Sequence, residues 1–142
     1  MAKTMQNVVE RALVRLQVTQ AGEPNDADNV AVGLTALNAF FFGLTADGLA
    51  LTDAAGTAIT YTEKALGDTF PIAERHFEGV AACLAVRIAD DFETSRAIPI
   101  IVRDATEGMQ RLEADFFAAL ESTVDKTLRR LPANDYFWGG TA

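Results

Sequence analysis

The side chains of this sequence that could carry out chemistry are one histidine, one cysteine and a short run of carboxylates. Catalysis by a serine or cysteine nucleophile needs a histidine base and further partners, and no such set stands around His76 or Cys83 at a recognisable spacing. Asp90, Asp91 and Glu93 form the closest group of carboxylates, but they follow a predicted helix, where the helix dipole disfavours negative charge. We therefore interpret His76 and Cys83 as packing residues and the three carboxylates as a solvated helix end.

Motifs that bind metals or cofactors are also missing from the sequence. No glycine-rich phosphate loop precedes a predicted helix, and neither CxxC nor HExxH occurs. The sequence consequently predicts no catalytic residue, no metal ligand and no cofactor, and it indicates a protein that is not an enzyme.

Composition narrows the range of partners and compartments. The 142 residues carry a net charge of −8, which argues against a tight grip on nucleic acid phosphates or anionic lipids. Cys83 has no partner for an internal disulfide, and the first residues are charged throughout instead of forming an apolar signal segment. We find no apolar run approaching the ~20 residues that span a bilayer. We expect a soluble intracellular protein without a membrane partner.

Hydrophobic residues that recur at three- and four-residue steps predict four helices. We expect them at Thr4–Leu16, at Ala27–Ala46, at Pro71–Phe92 and from Pro99 to about Lys126. The predicted fold is all-α, a small bundle of about four helices with a long loop, Leu49–Thr69, between the second and third. Residues 1–126 form the helical domain, and residues 127–142 form an extended C-terminal docking tail.

The third predicted helix is expected at the centre of the bundle. Pro71 suits its first turn, and Asp68 or Thr69 can cap it. Its apolar residues share one face, and the small residues of Gly79–Ala85 permit close approach of neighbouring helices. In the preceding loop, Thr57–Thr62 alternates weakly between apolar and polar residues, which leaves open a short strand, a hairpin arm or an irregular loop.

The second predicted helix carries more apolar surface than one small domain can enclose. Outside its core stripe, Val32, Ala36, Phe40 and Phe42 cover much of the remaining surface. A second partner for this surface, most simply another copy of the chain, accounts for the excess.

The last residues form a separate aromatic segment. Pro132 ends any helix, and Tyr136, Phe137 and Trp138 are consecutive aromatic residues that include the sole tryptophan. An aromatic tail is unfavourable in water, so we expect it to dock on a partner.

Three segments, in this order, resemble a known family. They read ALVRLQV at Ala12–Val18, LNAFFFGLTADGL at Leu37–Leu49 and LAVRIADDF at Leu84–Phe92. They are similar to the head-to-tail adaptor proteins (connectors or head-completion proteins) of tailed bacteriophages and gene transfer agents, and particularly to the podovirus tail accessory factors. The resemblance covers roughly residues 8–120 and consists of packing patterns.

This resemblance implies a helical bundle that assembles into a ring, typically a dodecamer, beneath the portal at the capsid vertex. Such a ring extends the DNA channel without sequence-specific binding and carries the next tail protein, a stopper, tube or nozzle. The implied partners are the portal protein, other copies of the chain and that tail protein. The implied location is the head–tail interface of the virion, and the host cytoplasm during assembly. The loop Leu49–Thr69 would lie nearest the channel or the next tail component.

The resemblance also assigns contact residues. Portal binding would use the C-terminal tail, through Arg129, Arg130, Tyr136, Phe137 and Trp138. Contacts between subunits are predicted on the second and third helices, at Val32, Ala36, Phe40, Phe42 and Arg87. The chain departs from podovirus members at Phe40–Phe42, where those proteins commonly have tryptophan or tyrosine.

Two alternatives to the adaptor are considered. A small helical binding module or regulator would work as a monomer or dimer, with Trp138 folded onto its own bundle. A cell-wall hydrolase would depend on carboxylates such as Glu74, Glu78 and Asp91, although no acid–base pair can be read from the sequence.

Overall fold

The computed structural model describes residues 1–20, 22–92 and 99–128, and it describes side chains as far as Phe117. It contains four α-helices: α1 at Met5–Arg15, α2 at Ala27–Ala46, α3 at Phe77–Ile88 and α4 at Pro99–Leu128. The described part of the chain has no strand, so the predicted all-α bundle is confirmed. The predicted bounds of α1, α2 and α4 match the structure to within two residues.

Helix α1 begins where the sequence allows a cap and buries one face. The Thr4 hydroxyl accepts a hydrogen bond from the Asn7 backbone, and the Asn7 side chain accepts one from the Thr4 backbone in return. This capping box satisfies two backbone donors that the first turn leaves unpaired. The buried face consists of Met5, Val8, Val9, Ala12 and Leu13.

Helix α2 crosses α1 closely because Gly33 has no side chain. A Cβ at Gly33 would lie 2.4 Å from Cγ1 of Val9. The Asp26 side chain caps α2 by accepting a hydrogen bond from the Asp28 backbone, and Gly48 adopts a left-handed φ of +89° just after the helix.

Among the described residues, α2 is also the helix whose length and composition would suffice to cross a membrane. The expectation that no apolar run approaches this length was therefore wrong. The same test is passed by core helices, and α2 packs against both α1 and α3. Its apolar character is partly explained by this packing.

Helix α3 starts later than the sequence predicts. Pro71 does not lie in its first turn, since a 3₁₀ turn at Glu74–His76 leads directly into Phe77. The residues before that turn are not helical, and Phe70 there donates a backbone hydrogen bond of 2.8 Å to the Lys3 carbonyl and buries its ring. Asp68 caps no helix; its carboxylate accepts a hydrogen bond from the backbone of Ala65.

Helices α3 and α4 form the most extensive contact in the bundle. They meet at two glycines, and a Cβ at Gly108 would lie only 2.6 Å from Cα of Gly79. On both sides of Gly108 along the helix, α4 contributes Ile101, Ala105, Leu112 and Phe116 to the core. The helix that approaches α3 closely at Gly79, as the small residues of Gly79–Ala85 predict, is α4.

The loop between α2 and α3 is irregular and anchored by one buried amide. The Asn38 side chain donates to the Lys64 carbonyl at 3.0 Å and accepts from the Lys64 N–H at 3.0 Å. The Tyr61 hydroxyl donates to the same Asn38 oxygen. Within Thr57–Thr62, only Ala58 forms a β-bridge, with Thr52, so the open choice is resolved as loop.

Candidate functional site

His76 forms a buried polar contact between the start of α3 and the middle of α4. Its side chain is 4% exposed, and its Nε2 lies 2.7 Å from the Asp115 carboxylate, which Arg75 also contacts at 2.9 Å. Burial lowers the pKa of His76, helped by the charges of Arg75 and Arg111 and opposed by Asp115. The imidazole ring packs at 5.5 Å from that of Phe116. This geometry fits the packing role predicted for His76.

Cys83 is a buried residue on the face of α3 that meets α4. Its thiol donates a hydrogen bond of 3.3 Å to the carbonyl of Ala105. Burial raises the pKa of Cys83 to about 11. A thiol with so high a pKa is a poor nucleophile at neutral pH, in keeping with the predicted packing role.

Two arginines of α1 bind a carboxylate of α3. Glu78 accepts from Arg15 at 2.7 Å and from Arg11 at 3.2 Å, and Arg15 also binds Asp104 of α4 at 3.1 Å. Burial alone would raise the pKa of Glu78, but the bonds to Arg15 and Arg11 outweigh it and lower that pKa. A general acid needs a raised pKa, so this site does not suit acid catalysis.

The remaining carboxylates singled out in the sequence are exposed or outside the described residues. Asp90 and Asp91 lie in a 3₁₀ turn, Ala89–Asp91, that follows α3, and both are exposed. Glu93 is not among the described residues. Among the side chains that the structure describes, up to Phe117, no three His, Cys, Asp or Glu are placed to hold a metal ion.

An apolar concavity is lined by residues from α2, α3 and α4. We call it the three-helix groove; it has a volume of about 320 Å³. The residues that line it include Phe40, Gly43, Asp47, Arg87, Val102 and Met109. Val102 stands at its edge with 42% of its surface exposed, so an apolar wall faces solvent. The groove can receive an apolar side chain.

Arg87 and Phe40 shape the polar side of the groove. The Arg87 guanidinium lies over the Phe40 ring, 5.3 Å from its centroid. Arg87 makes no ion pair within 4.0 Å among the described residues, nor does Asp47, which lines the same groove. The groove therefore presents one cation and one anion for a partner.

The structure brings together some of the predicted subunit-interface residues. Phe40 and Arg87 line the groove, and Val32 and Ala36 continue the same stripe of α2 by their four-residue spacing. Val32 is exposed and Ala36 half-buried, whereas Phe40 is only 4% exposed. Phe40 consequently packs inside its own chain and supports the groove from below instead of projecting from the surface.

Phe42 is separated from this set. Its ring lies on another side of α2, edge-on to Tyr61 at 5.0 Å, and it is 46% exposed. The predicted portal-binding residues Arg129, Arg130, Tyr136, Phe137 and Trp138, and the predicted connection 93–98, lie outside the described residues.

Sequence reasoning missed several groove residues. Val102 and Met109 follow the three- and four-residue apolar spacing of α4 that predicts a buried face, yet Val102 is exposed and Met109 half-buried. Gly43 gave no signal as a single glycine within a helix. Only the meeting of three helices shows that these residues surround one concavity.

No model of a known protein family matches the chain, and no curated protein matches it.

Proposed function

We propose that this protein is a structural virion component that forms a ring beneath the portal of a tailed phage. In this role it connects the capsid to the tail and extends the DNA channel. The proposal is supported by the order of the three segments Ala12–Val18, Leu37–Leu49 and Leu84–Phe92, and by the all-α bundle in which each contributes to a helix. Its partners are the portal, neighbouring copies and the next tail protein.

The observation that carries the proposal is the apolar surface left on the outside of the bundle. Val32, Phe42 and Val102 are each at least 40% exposed although they lie on helices with filled core faces. Exposed apolar surface that gathers beside a concavity is typical of sites that bind other protein, and Val102 borders the three-helix groove. A ring subunit needs such surfaces on two sides.

The charge of the chain fits the same role. A net charge of −8 at neutral pH repels phosphates, which lets DNA pass through a channel without adhering. The chemistry of the described residues also favours a structural role, since Glu78 is held ionised by two arginines and Cys83 is buried with a raised pKa. A cell-wall hydrolase would need a carboxyl group with a raised pKa instead.

Assembly on the portal tests this proposal. The purified chain is mixed with the portal protein of the same virus, and binding is followed by sedimentation. A matched variant carries serine at Tyr136, Phe137 and Trp138. We expect the wild-type chain to co-sediment as a ring and the serine variant to lose portal binding while keeping its helical circular dichroism. A wild-type chain that stays free in the presence of portal would contradict the proposal.

A helical binding module is the second candidate, favoured by a broad groove of about 1060 Å³ along α1. Polar residues dominate its lining on that helix, including Gln6, Asn7, Glu10 and Arg11. Substituting Gln6 and Glu10 by lysine leaves portal assembly unchanged if the adaptor proposal holds. Under the second candidate the protein stays a monomer or dimer with portal, and Trp138 fluorescence is that of a buried indole in the isolated chain.

A further inference from the structure

Helix α2 presents an apolar cavity and an apolar projection on different sides. Phe40 points under the three-helix groove, whereas Phe42 stands against Tyr61. Two residues along an α-helix correspond to a rotation of about 200°, so these two phenylalanines face nearly opposite directions. One copy can therefore receive a side chain in its groove while its own Phe42 reaches another copy.

We propose that copies of this chain associate head to tail, with Phe42 of one copy inserted into the three-helix groove of the next. This inference rests on the proposed function, because it specifies the contact between neighbouring ring subunits. The groove volume of about 320 Å³ is at the lower end for a ligand pocket and suits a single side chain. Val102 and Met109 provide apolar walls for an aromatic ring.

Each surface offers a charged group to the other. Arg87 and Asp47 both line the groove without an ion pair among the described residues, and Arg87 is the group that a carboxylate of the next copy can pair with. On the projecting side, Glu63 follows closely after Tyr61, against which the Phe42 ring packs, and its negative charge contributes to the raised pKa of Tyr61. Insertion of Phe42 would bring an acidic residue of one copy towards Arg87 of the next. Such pairing fixes orientation and excludes other partners.

The arrangement also determines the symmetry. A contact made by one patch on both copies gives a closed dimer, whereas a projection meeting a separate cavity leaves both ends of the pair free to add subunits. Repetition closes into a ring when the rotation per subunit permits it. The second copy is favoured over an unrelated partner because one helix supplies both halves of the contact.

Cross-linking of the full-length chain tests this arrangement. In a Cys83→Ser background, Phe42→Cys and Val102→Cys are combined, and the protein is oxidised in solution and again with portal present. We expect a ladder of dimers, trimers and larger covalent species from the double variant, and no ladder from either single cysteine. Ile100→Cys, an exposed apolar position on another side of α4, replaces Val102→Cys as the matched control and should give no ladder.

Three results would overturn the inference. Dimers from Phe42→Cys alone would indicate a two-fold contact through Phe42, and an Ile100 ladder equal to that of Val102 would indicate random collision. Rings on the portal without a Phe42–Val102 ladder would overturn the inference while leaving the proposed function intact. Absence of rings from wild-type chain and portal would instead contradict the proposed function, and the head-to-tail contact with it.

Mixing two blocked variants provides a second test that needs no cysteine. Phe42→Ser removes the projection, and Gly43→Leu fills the groove from inside, where a Cβ would meet only Arg87 Nη2 at 3.9 Å. Each variant alone should associate about tenfold or more weakly, because aromatic anchors dominate interface energies. Their mixture should form a heterodimer with one intact contact and no larger species. A mixture that stays monomeric at concentrations where the wild type associates would refute the head-to-tail contact.

The charge pair gives a third readout. Glu63→Arg and Arg87→Glu should each weaken association, and the double variant should restore it at low salt. Unchanged association in both single variants would exclude the proposed orientation.

Discussion

Replacing Gly108 by alanine tests how closely α3 and α4 pack. The added Cβ would lie 2.6 Å from Cα of Gly79 and 3.0 Å from its carbonyl carbon and oxygen. Carbon atoms in contact are ordinarily about 3.5–4.0 Å apart, so the two helices must separate locally by about 1 Å. The atoms that the added Cβ would meet are all backbone atoms of Gly79, so no side-chain rotation can relieve the contact.

The expected cost follows from two opposing effects. Overpacking of a close contact costs about 1–3 kcal/mol, and a rigid backbone contact belongs at the upper end of that range. Alanine favours the helix over glycine by about 0.8–1.0 kcal/mol. We therefore expect Gly108→Ala to lower the free energy of unfolding by about 1–2 kcal/mol.

Gly43→Ala is the matched control, because it makes the same substitution inside a helix without a close neighbour. Its Cβ would meet only Arg87 Nη2, at 3.9 Å, so the helix propensity gain of about 0.8–1.0 kcal/mol should remain. Urea denaturation followed by circular dichroism measures both free energies, with equal m values required for the comparison. A Gly108→Ala protein as stable as Gly43→Ala would refute the close helix crossing.

Two further predictions concern buried polar groups. Because the pKa of His76 is lowered in the folded chain, the unfolded chain binds the proton more readily. The free energy of unfolding should therefore fall as the pH drops below about 6.5, and His76→Gln should flatten this fall between pH 7 and 5.5. The same pH dependence in His76→Gln and in the wild type would contradict this role of His76. Asn38→Ala should cost about 2–3 kcal/mol in urea denaturation and speed proteolysis within the loop Leu49–Thr69, because it removes the partners of Tyr61 and Lys64. Thr35→Ala, an exposed change on the same helix, serves as control, and equal proteolysis of both variants would count against the anchor.

The helices could be predicted from the sequence because their signals are local. Thr4 with Asn7, Asp26 and Gly48 mark helix ends through contacts a few residues apart, and the apolar spacing then fixes which face is buried. The start of α3 could not be predicted in this way. Phe70 just before it is tied by its backbone N–H to the carbonyl of Lys3, a residue far away along the chain, and such a contact leaves no periodic trace in the sequence around it.

The candidate site was predicted only in part for the same reason. The excess of apolar residues on α2 indicated a contact surface, and Val32, Phe42 and Arg87 are indeed exposed. The sequence placed Phe40 and Phe42 in one interface, although the helix turns them to different sides. Val102 has the apolar spacing of a core residue of α4, yet it is 42% exposed and borders the three-helix groove.

The mass of the complex tests most directly our proposal that this chain forms a ring on a portal. Light scattering on a size-exclusion column gives the mass of the isolated chain, of the portal, and of the two combined with the chain in excess. We expect a discrete complex whose added mass corresponds to a closed ring of copies. A portal whose mass stays unchanged, with the chain eluting at its free mass, would contradict it.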